Sequence, residues 1–457
     1  MLAIYKKELR SYFHSFIGCL FIGVSLFFIG LYYFVYCLLY GYPYFSYVIN
    51  SVVVLFMLTV PVLTMRIMAE ERRSKTDQLI LTAPVSVSRI VLGKYLALLT
   101  ILAIPTAVSA LYPLILLRFG SLPLGECYLA LLAFFLYGAV SIAIGLLVSS
   151  LTESQVIAAV LGFVLLFVGY MMPSLCGLIS STGNVLTHIL GLYDLYTPFV
   201  MMLNGTLDIG SVVYFLSLTA LALFLTCQSI QKRRYSVSVK ALRAGAYSMG
   251  MIVAAVAVTV VLNMVVGQLP GSWTSLDLTG SKLYSLTDQT KEYVKNIHED
   301  VTVYVLVNED NEDTVLGQTL DRYEELSEHI HVQYVDPIQN PRFHTQYTSA
   351  NVSANSLIVV SDRRSKVIDA NDIYVTSYDY DGYNYNSSVT GYDGEGQITS
   401  ALDYVLSDDI PVVYMTEGHG EQILSAAFKG SLDKENVEYA PVKLMSCDNE
   451  PEKAATH

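Results

Sequence analysis

A charged stretch between two long apolar runs is the first place where this chain could transmit work. Residues 66–94 hold six Lys or Arg residues, and each flanking apolar run is long enough to cross a bilayer. Glu71 precedes Lys75 by four residues, the favourable order for an ion pair on one helix face. Pro84 ends that helix, because the residue before a proline avoids the α region. We therefore predict a helix, Glu70–Leu81, that relays a push from a soluble partner; the alternative is an ordinary charged loop.

Nucleotide hydrolysis is not encoded in this stretch. Gly93-Lys94 is followed by Tyr95 and lacks the earlier glycine of a G-x-x-x-x-G-K-[ST] phosphate loop. Ion-driven transport is also disfavoured, because no ionisable residue falls in the middle of a predicted span, where a charge would be costly. If ATP drives this protein, another chain must supply the phosphate loop.

A second candidate site is the turn after the predicted buried strand Pro411–Thr416. Alternating α/β folds place ligands where strands end, so the two glutamates and the histidine of this turn could act as acid–base groups. The alternative is a tight strand-to-helix turn in which the two glycines take unusual dihedral angles. The residues concerned are Glu417, Gly418, His419, Gly420 and Glu421.

Metal and calcium sites are not expected. His329 and His331 could share a metal, but a common ligand geometry is not favoured for them. The stretch Asp379–Gly382 breaks the D-x-[DN]-x-[DN]-G pattern of a calcium loop. No cofactor is therefore expected to bind this chain.

Composition divides the chain into two halves with different environments. Hydrophobic residues make up 53% of the 457 residues and the mean hydropathy is +0.47, too apolar for a wholly soluble protein. Residues 1–267 carry 15 Lys and Arg against 8 Asp and Glu, whereas residues 268–457 carry 12 against 32. A basic membrane part followed by an acidic soluble part is predicted. Nucleic-acid binding is not expected, since the soluble half has no basic patch.

Cysteine usage predicts neither a disulfide framework nor a zinc site. Five of the six cysteines lie in the apolar half, and only Cys447 lies in the acidic half. No C-x-x-C motif occurs. The first apolar run is too long for a signal peptide and should remain as a span.

Seven membrane spans are predicted from the apolar runs. Residues 1–15 precede them as an interfacial helix, and residues 173–208 form an outer loop with partial helices. The spans are Phe16–Tyr40, Val48–Met68, Tyr95–Leu117, Cys127–Ser149, Gln155–Met172, Gly210–Ile230 and Ala246–Gly267.

The distribution of basic residues predicts the orientation. Fourteen Lys and Arg residues lie before Phe16, in residues 66–94 and in residues 232–243, against only Arg118 on the outer loops between spans. The positive-inside rule places the N-terminus in the cytoplasm. Everything after Gln268 is then extracytoplasmic.

The acidic half alternates strand and helix, which predicts an extracytoplasmic α/β domain. The tyrosine- and Asp-rich stretch Tyr378–Gly394 has no apolar face and is predicted to be a loop. The tail after Val437–Leu444 is polar, so the domain is predicted to be incomplete at its C-terminus. The predicted elements are strands Val301–Val307, His331–Val335, Ser356–Val360, Lys366–Ile368 and Pro411–Thr416, and helices Val315–His329, Glu395–Leu406 and Glu421–Glu435.

Several motifs resemble one transporter family. The charged stretch resembles the cytoplasmic loop of type 2 ABC exporter permeases, in particular the permease of the bacterial gliding-motility transporter. Later motifs resemble that system's auxiliary protein, here fused behind the permease. The permease motifs are AEERR (69–73), KTDQL (75–79), LTAPVS (81–86), LGKY (92–95), NGTLD (204–208) and VVYF (212–215). The auxiliary motifs are SLDLT (275–279), KLYSLT (282–287), VTVY (301–304), EGQITSAL (395–402) and EGHGE (417–421).

The resemblance implies a six-span permease domain over residues 1–235, a linker and seventh span over 236–267, and an auxiliary α/β domain over 268–457. It implies a multi-pass protein of the bacterial inner membrane that is not itself an enzyme. Its expected partners are a homodimeric ABC ATPase that binds ATP and Mg, a second permease copy and the lipid bilayer. Auxiliary proteins of this kind continue to a closing span, and this sequence stops at His457.

Under this reading the loop couples the permease to its ATPase, and the outer domain handles substrate or an envelope partner. The alternatives are a non-transporting scaffold whose outer domain binds cell-surface proteins, and a membrane-anchored hydrolase that uses the Glu417–Glu421 turn. The expected coupling residues are Glu70, Glu71, Arg72, Arg73, Thr76, Leu79, Leu81, Pro84 and Lys94.

Overall fold

The computed structural model divides the chain into two units, Met1–Leu283 and Tyr284–His457. We call them the membrane unit and the outer unit, and each is described by itself. The structure describes residues 1–41, 44–76, 85–120, 122–179, 184–232, 239–269, 274–279, 285–307, 313–349, 352–380, 385–416 and 424–442.

In the residues that the structure describes, the membrane unit is helical apart from one short strand pair. Seven of its helical segments, all within the described residues, are long and apolar enough to cross a membrane, which confirms the predicted number of spans. Its helices are α1 (Leu2–Phe13), α2 (Phe16–Tyr33, extended by a π-helical turn Phe34–Leu39), α3 (Phe45–Thr64), α4 (Arg66–Arg73), α5 (Val87–Ser109), α6 (Tyr112–Leu116), α7 (Leu124–Leu151), α8 (Gln155–Ile179), α9 (Val185–Gly191), α10 (Thr197–Leu203), α11 (Ile209–Gln231) and α12 (Val239–Gly267).

Helix α7 lies at the centre of this unit. Its most apolar window is 83% buried, whereas that of α12 is not buried at all. Small residues allow the close packing: a Cβ on Gly145 would lie 2.3 Å from Thr64 Oγ1, and one on Gly138 would lie 2.7 Å from a Leu102 methyl. Such small residues let helix backbones approach in membranes, where burial alone supplies little driving force.

Helix α12 is joined to α11 by two side-chain hydrogen bonds. Asn263 Nδ2 donates to Ser217 Oγ at 2.9 Å, and Ser248 Oγ donates to Gln228 Oε1 at 2.9 Å. Polar pairs of this kind hold neighbouring spans together.

The segment predicted as an outer loop is partly a span. Helix α8 continues through Pro173 to Ile179, because a proline is tolerated in a membrane helix when its surroundings satisfy the freed backbone groups. The short helices α9 and α10 confirm the predicted partial helices. After them, strand β1 (Thr206–Asp208) pairs antiparallel with β2 (Ser275–Asp277).

The outer unit is an α/β domain, as predicted. Its four-stranded sheet has the order β4-β3-β5-β6, in which β3 and β4 are parallel and the other pairs antiparallel. Its strands are β3 (Val301–Leu306), β4 (Ile330–Tyr334), β5 (Ser356–Val360), β6 (Ser365–Ile368), β7 (Tyr374–Tyr380), β8 (Tyr385–Tyr392), β9 (Val412–Thr416) and β10 (Glu438–Val442). Its helices are α13 (Asp288–Lys295), α14 (Thr314–Leu326), α15 (Ala370–Ile373), α16 (Gly394–Leu406) and α17 (Ala426–Lys434).

One face of the sheet forms the core of the outer unit. Val301 and Val305 on β3 are fully buried, together with Leu320 on α14 and Leu402 on α16. Buried and partly exposed side chains alternate along most of β3, and its buried side chains pack against the apolar stripes of the two helices to form this layer.

Two predictions for the outer unit are wrong. Within the stretch predicted as the loop Tyr378–Gly394, residues 378–380 and 385–392 belong to the antiparallel pair β7–β8, because tyrosine and threonine suit extended backbone even without an apolar face. The strand predicted as buried, β9, pairs in parallel with β10 but has three side chains at 39–45% exposure, Val412, Val413 and Tyr414. A two-stranded sheet offers β9 little cover.

Candidate coupling site

Helix α4, the first part of the predicted coupling helix, continues span two almost without a break. Met65, between α3 and α4, keeps helical dihedral angles of −53° and −33°. Ile67, Met68 and Ala69 are buried, while Arg73 to Thr76 are exposed. A displacement of the exposed end would therefore be carried directly into span two.

Helix α4 is also fastened to the end of α7. Ser149 Oγ accepts hydrogen bonds from the N–H groups of Met68 at 3.2 Å and Ala69 at 3.1 Å, and donates to Met65 O at 3.1 Å. The first turn of a helix has N–H groups without intrahelical partners, and a side-chain oxygen can satisfy them. Arg72 adds hydrogen bonds to Ser150 O at 3.2 Å and Glu153 Oε1 at 3.4 Å.

The most unusual feature of this region is the fully buried ammonium group of Lys94 on α5. Lys94 Nζ lies 3.0 Å from Glu8 Oε1, 2.9 Å from Glu71 Oε1 and 3.0 Å from Ile67 O. The contacts with Glu8 and Ile67 are hydrogen bonds, and the contact with Glu71 is an ion pair. A buried charge is tolerated only with such pairing, so Lys94 ties α1, α4 and α5 together.

Lys7 completes an ion cluster with equal numbers of charges. Its Nζ lies 3.2 Å from Glu71 Oε1 and 3.4 Å from Glu8 Oε1, at the solvent side. Partial burial lowers the pKa of Lys7, but the two carboxylates outweigh burial and the net pKa is raised. We call Lys7, Glu8, Glu71 and Lys94 the Lys94 cluster; it contains two positive and two negative groups.

Packing contacts hold α1 in place beside the cluster. Tyr12 Oη donates to Leu63 O at 3.0 Å, and the hydroxyl groups of Tyr5 and Thr100 lie 3.1 Å apart. Gly93 allows this approach, since a Cβ there would lie 3.2 Å from Met1 O. The predicted N-terminal helix is thus confirmed as a helix and forms part of the site.

The predicted helix Glu70–Leu81 is wrong in its length. Helix α4 ends at Arg73, and Lys75 takes a left-handed φ of 58°. The Lys75 N–H donates to Arg72 O at 3.1 Å and the Thr76 N–H to Glu71 O at 3.0 Å, the two bonds of a Schellman ending. The turn usually uses glycine, and a lysine in its place gave no signal in the sequence.

The predicted pair between Glu71 and Lys75 is also wrong. Glu71 points inward to Lys94, and the left-handed backbone takes Lys75 off the helix face. Glu70 instead pairs with Arg66, one turn earlier.

The structure separates the predicted coupling residues into two groups. Glu71, Arg72 and Lys94 make internal contacts that fix α4 to its neighbours. Arg73 and Thr76 are exposed, and Glu70 is partly exposed. Leu79, Leu81 and Pro84 lie outside the described residues, as does the turn Glu417, Gly418, His419, Gly420 and Glu421.

Sequence reasoning missed Glu8, Lys7 and Ser149. Glu8 is separated from Lys94 by 86 positions, so no local spacing links them. The available signal was that Glu8 is the one acidic residue in the basic stretch before span one. A single carboxylate among basic residues beside a span indicates that it pairs with a basic residue at the end of another span.

A cleft of about 260 Å³ opens between α1 and α4 beside the cluster. Lys7, Ser11, Arg66 and Thr76 are among its lining residues. No group of three metal-ligating side chains occurs among the described residues. The arrangement is suited to mechanical attachment, since it joins three helices and a span end through charged and hydrogen-bonded groups.

Two family models match different parts of the chain. Residues 40–265 match the family model described as ABC-2 family transporter protein, and residues 280–374 match one described as a domain of unknown function (DUF7088). No curated protein matches the chain. Helices α3–α11 and most of α12 fall inside the first match. That match supports an ABC-2 type permease, the membrane subunit of a transporter.

Proposed function

We propose that this chain is the permease subunit of an ATP-driven ABC exporter, coupled to a separate ATPase through residues 66–94. The single observation that carries this proposal is the attachment of α4 to three neighbours by the Lys94 cluster, Ser149 and Arg72. A loop that served only to connect two spans would not need a buried, fully paired lysine.

The contact with the ATPase is assigned to the exposed end of α4. Arg73 to Thr76 leave the helix as a solvent-facing tip, next to the 260 Å³ cleft. A push on this tip reaches span two through continuous helix, span three through Lys94 and span four through Ser149. Because spans two, three and four are all attached to α4, they would move as one body. Alternating access requires such a concerted movement of spans.

The expected partners follow from the proposed permease role. A homodimeric ATPase would bind ATP and Mg, and a second copy of the permease would complete a symmetric assembly. This chain contributes no phosphate loop, so the nucleotide belongs to the partner.

The membrane orientation is proposed from the basic residues. With the α4 end in the cytoplasm, fourteen Lys and Arg residues are inside and Arg118 is outside. The outer unit then lies outside the cytoplasm of a bacterial cell, as a gliding-motility-type auxiliary domain that handles substrate or an envelope partner.

The test uses the affinity-tagged full chain, purified in detergent from its native membranes. Mg-dependent ATP hydrolysis should copurify with it. Arg73→Glu should remove most of that activity, whereas Arg118→Glu, at the opposite end of the membrane unit, should leave it unchanged. Both variants should show the same thermal stability as the parent chain. If the intact chain carries no ATPase, or if Arg73→Glu retains it in full, the proposal fails.

A further inference from the structure

The outer unit contains a groove of about 590 Å³ that is separate from the coupling site. Strand β6 forms one wall, and all four of its residues, Ser365–Ile368, line the groove. The opposite wall runs from Gly430 on α17 to Glu438 at the start of β10. The groove is therefore bounded by a sheet edge on one side and a helix end on the other.

Strand β6 presents free backbone groups to this groove. It is the last strand in the order β4-β3-β5-β6 of the described sheet. The Ser361 N–H donates to Arg364 O at 2.9 Å, which closes the hairpin. This bond fixes which residues of β6 direct their backbone groups to β5 and which direct them away from it. Lys366 and Ile368 then bond β5, so Ser365 and Val367 direct their N–H and C=O groups outward.

The basic side chains of the groove are already paired within the domain. Lys366 Nζ donates to Asp433 O at 2.9 Å, to Asn436 Oδ1 at 2.6 Å and to Ser400 Oγ at 3.2 Å. Lys434 Nζ binds Asp393. Lys366 therefore has no donor to spare for an incoming anion, and the charge of Lys434 is offset by Asp393.

Carboxylates give the groove its available charge. Asp372, Asp433 and Glu438 all line it. Burial raises the pKa of Asp372, and the neighbouring Asp369 raises it further, so a cation nearby would stabilise both carboxylates. The surface is complementary to Lys and Arg side chains.

We propose that the groove binds an extended polypeptide segment rich in Lys or Arg, which adds a fifth strand to the sheet at β6. Main-chain bonds to Ser365 and Val367 supply the pairing, and the carboxylates select basic side chains. Four strand residues cover about 13 Å, so a hexapeptide of about 20 Å is long enough to span the edge. This inference rests on the outer unit alone and is independent of ATPase coupling.

A small polar ligand fits the groove less well than a peptide. A row of outward N–H and C=O groups at strand spacing matches another strand, and sheets commonly cover such edges. A metal is not favoured either, since no group of three metal-ligating side chains occurs in the described residues.

The test measures fluorescence anisotropy of a labelled Lys-Val-Lys-Val-Lys-Val peptide with the full chain in detergent. Val367→Pro removes the outward N–H, which an edge strand tolerates, and should weaken binding about tenfold. Val367→Ala keeps that N–H and should bind like the parent chain. Asp372→Asn should weaken the lysine peptide, and a Glu-Val peptide of equal length should not bind.

Hydrogen exchange on the unaltered chain gives a readout that needs no variant. Adding the lysine peptide should slow exchange at the Ser365 and Val367 amides. Protection elsewhere with no change at β6, or equal peptide affinity in Val367→Pro and Val367→Ala, would overturn the proposal. Loss of ATPase coupling in Arg73→Glu should leave peptide binding unaffected, which separates this inference from the proposed function.

Discussion

The ammonium group of Lys94 lies 2.9 Å from the carboxylate of Glu71, so the two ends of the loop between spans two and three are joined by an ion pair. Lys94 has 1% of its side chain exposed and Glu71 has 17%. Glu8 shares the same ammonium from α1. The loop is thereby closed at its base, while Arg73 to Thr76 stay exposed.

Glu71→Gln should destabilise the membrane unit because it leaves Lys94 with one carboxylate instead of two. Removing one partner of a buried ion pair costs about 3–5 kcal/mol, and the remaining Glu8 reduces the expected loss to about 2 kcal/mol. Glu70→Gln is the matched control, since its pair with Arg66 is half-exposed and should cost under about 1 kcal/mol. Thermal unfolding in detergent compares the two; equal losses would contradict a buried role for Glu71.

The membrane helices could be predicted from sequence because their signal is local. An apolar run such as Phe16–Tyr40 can be recognised from its length and composition alone, because the thickness of the bilayer sets how many apolar residues a span needs. The Lys94 cluster depends on contacts between residues far apart in the sequence: Glu71 and Lys94 are 23 positions apart, Lys7 and Glu71 are 64 apart, and Glu8 and Lys94 are 86 apart. No single-sequence pattern contains that pairing.

Turn geometry set a second limit on prediction. The end of α4 at Arg73 depends on Lys75 taking a left-handed conformation, for which glycine or asparagine is the usual signal. Without either, the apolar residues up to Leu81 suggested a longer helix. Strands β7 and β8 were missed for a related reason, because periodicity is a weak guide where neither face is apolar.

Ser149→Ala should weaken the attachment of α4 to α7. The substitution removes the acceptor for the Met68 and Ala69 N–H groups, and leaving buried N–H groups unpaired should cost about 2 kcal/mol. Ser141→Ala is the matched control on the same helix, because Ser141 Oγ donates only to Tyr137 O one turn earlier. Unfolding midpoints of the two variants should differ, and a Ser141→Ala loss as large as that of Ser149→Ala would refute the link.

Lys75→Gly should stabilise the end of α4. A non-glycine residue in the left-handed region carries a cost of about 1 kcal/mol, which glycine largely avoids. Exchange of the Thr76 amide, which bonds Glu71 O at 3.0 Å, reports the opening of this turn. It should slow in Lys75→Gly and quicken in Lys75→Val. Faster exchange with glycine would mean that the turn is held by something other than its backbone conformation.

Acid should remove a stabilising contact at the start of α15. Burial raises the pKa of Asp369, but N–H groups of Asn371 and Ser353 outweigh burial, so the net pKa lies below its ordinary 3.8. A lowered carboxyl pKa contributes stability above the ordinary value, and that stability is lost as pH falls through the folded value. Asp369→Asn should therefore be less stable than the parent at pH 6 and approach it at about pH 3.

Thermal unfolding of the full chain in detergent, followed by far-ultraviolet circular dichroism, measures this difference across pH. Asp362→Asn, at the exposed tip of the β5–β6 hairpin, is the control and should track the parent at every pH. A gap between Asp369→Asn and the parent that stays constant down to pH 3 would exclude the carboxylate as its cause.

The proposed topology predicts opposite labelling of two exposed positions. Ser74 lies at the tip of α4 and Asp362 at the tip of the β5–β6 hairpin, and both are exposed. The neighbouring Ser361 is left unchanged, because its hydroxyl donates to Val405 O at 2.7 Å. In intact cells and a background without native cysteines, Asp362→Cys should react with an impermeant thiol reagent and Ser74→Cys should not. Permeabilised cells should label both, which shows that each thiol is reachable. The prediction rests on the positive-inside rule, since fourteen Lys and Arg residues lie on the proposed inner side of residues 1–267 and only Arg118 lies on the proposed outer side. Reaction of Ser74→Cys in intact cells would mean that the orientation is reversed and that no cytoplasmic ATPase can contact the end of α4.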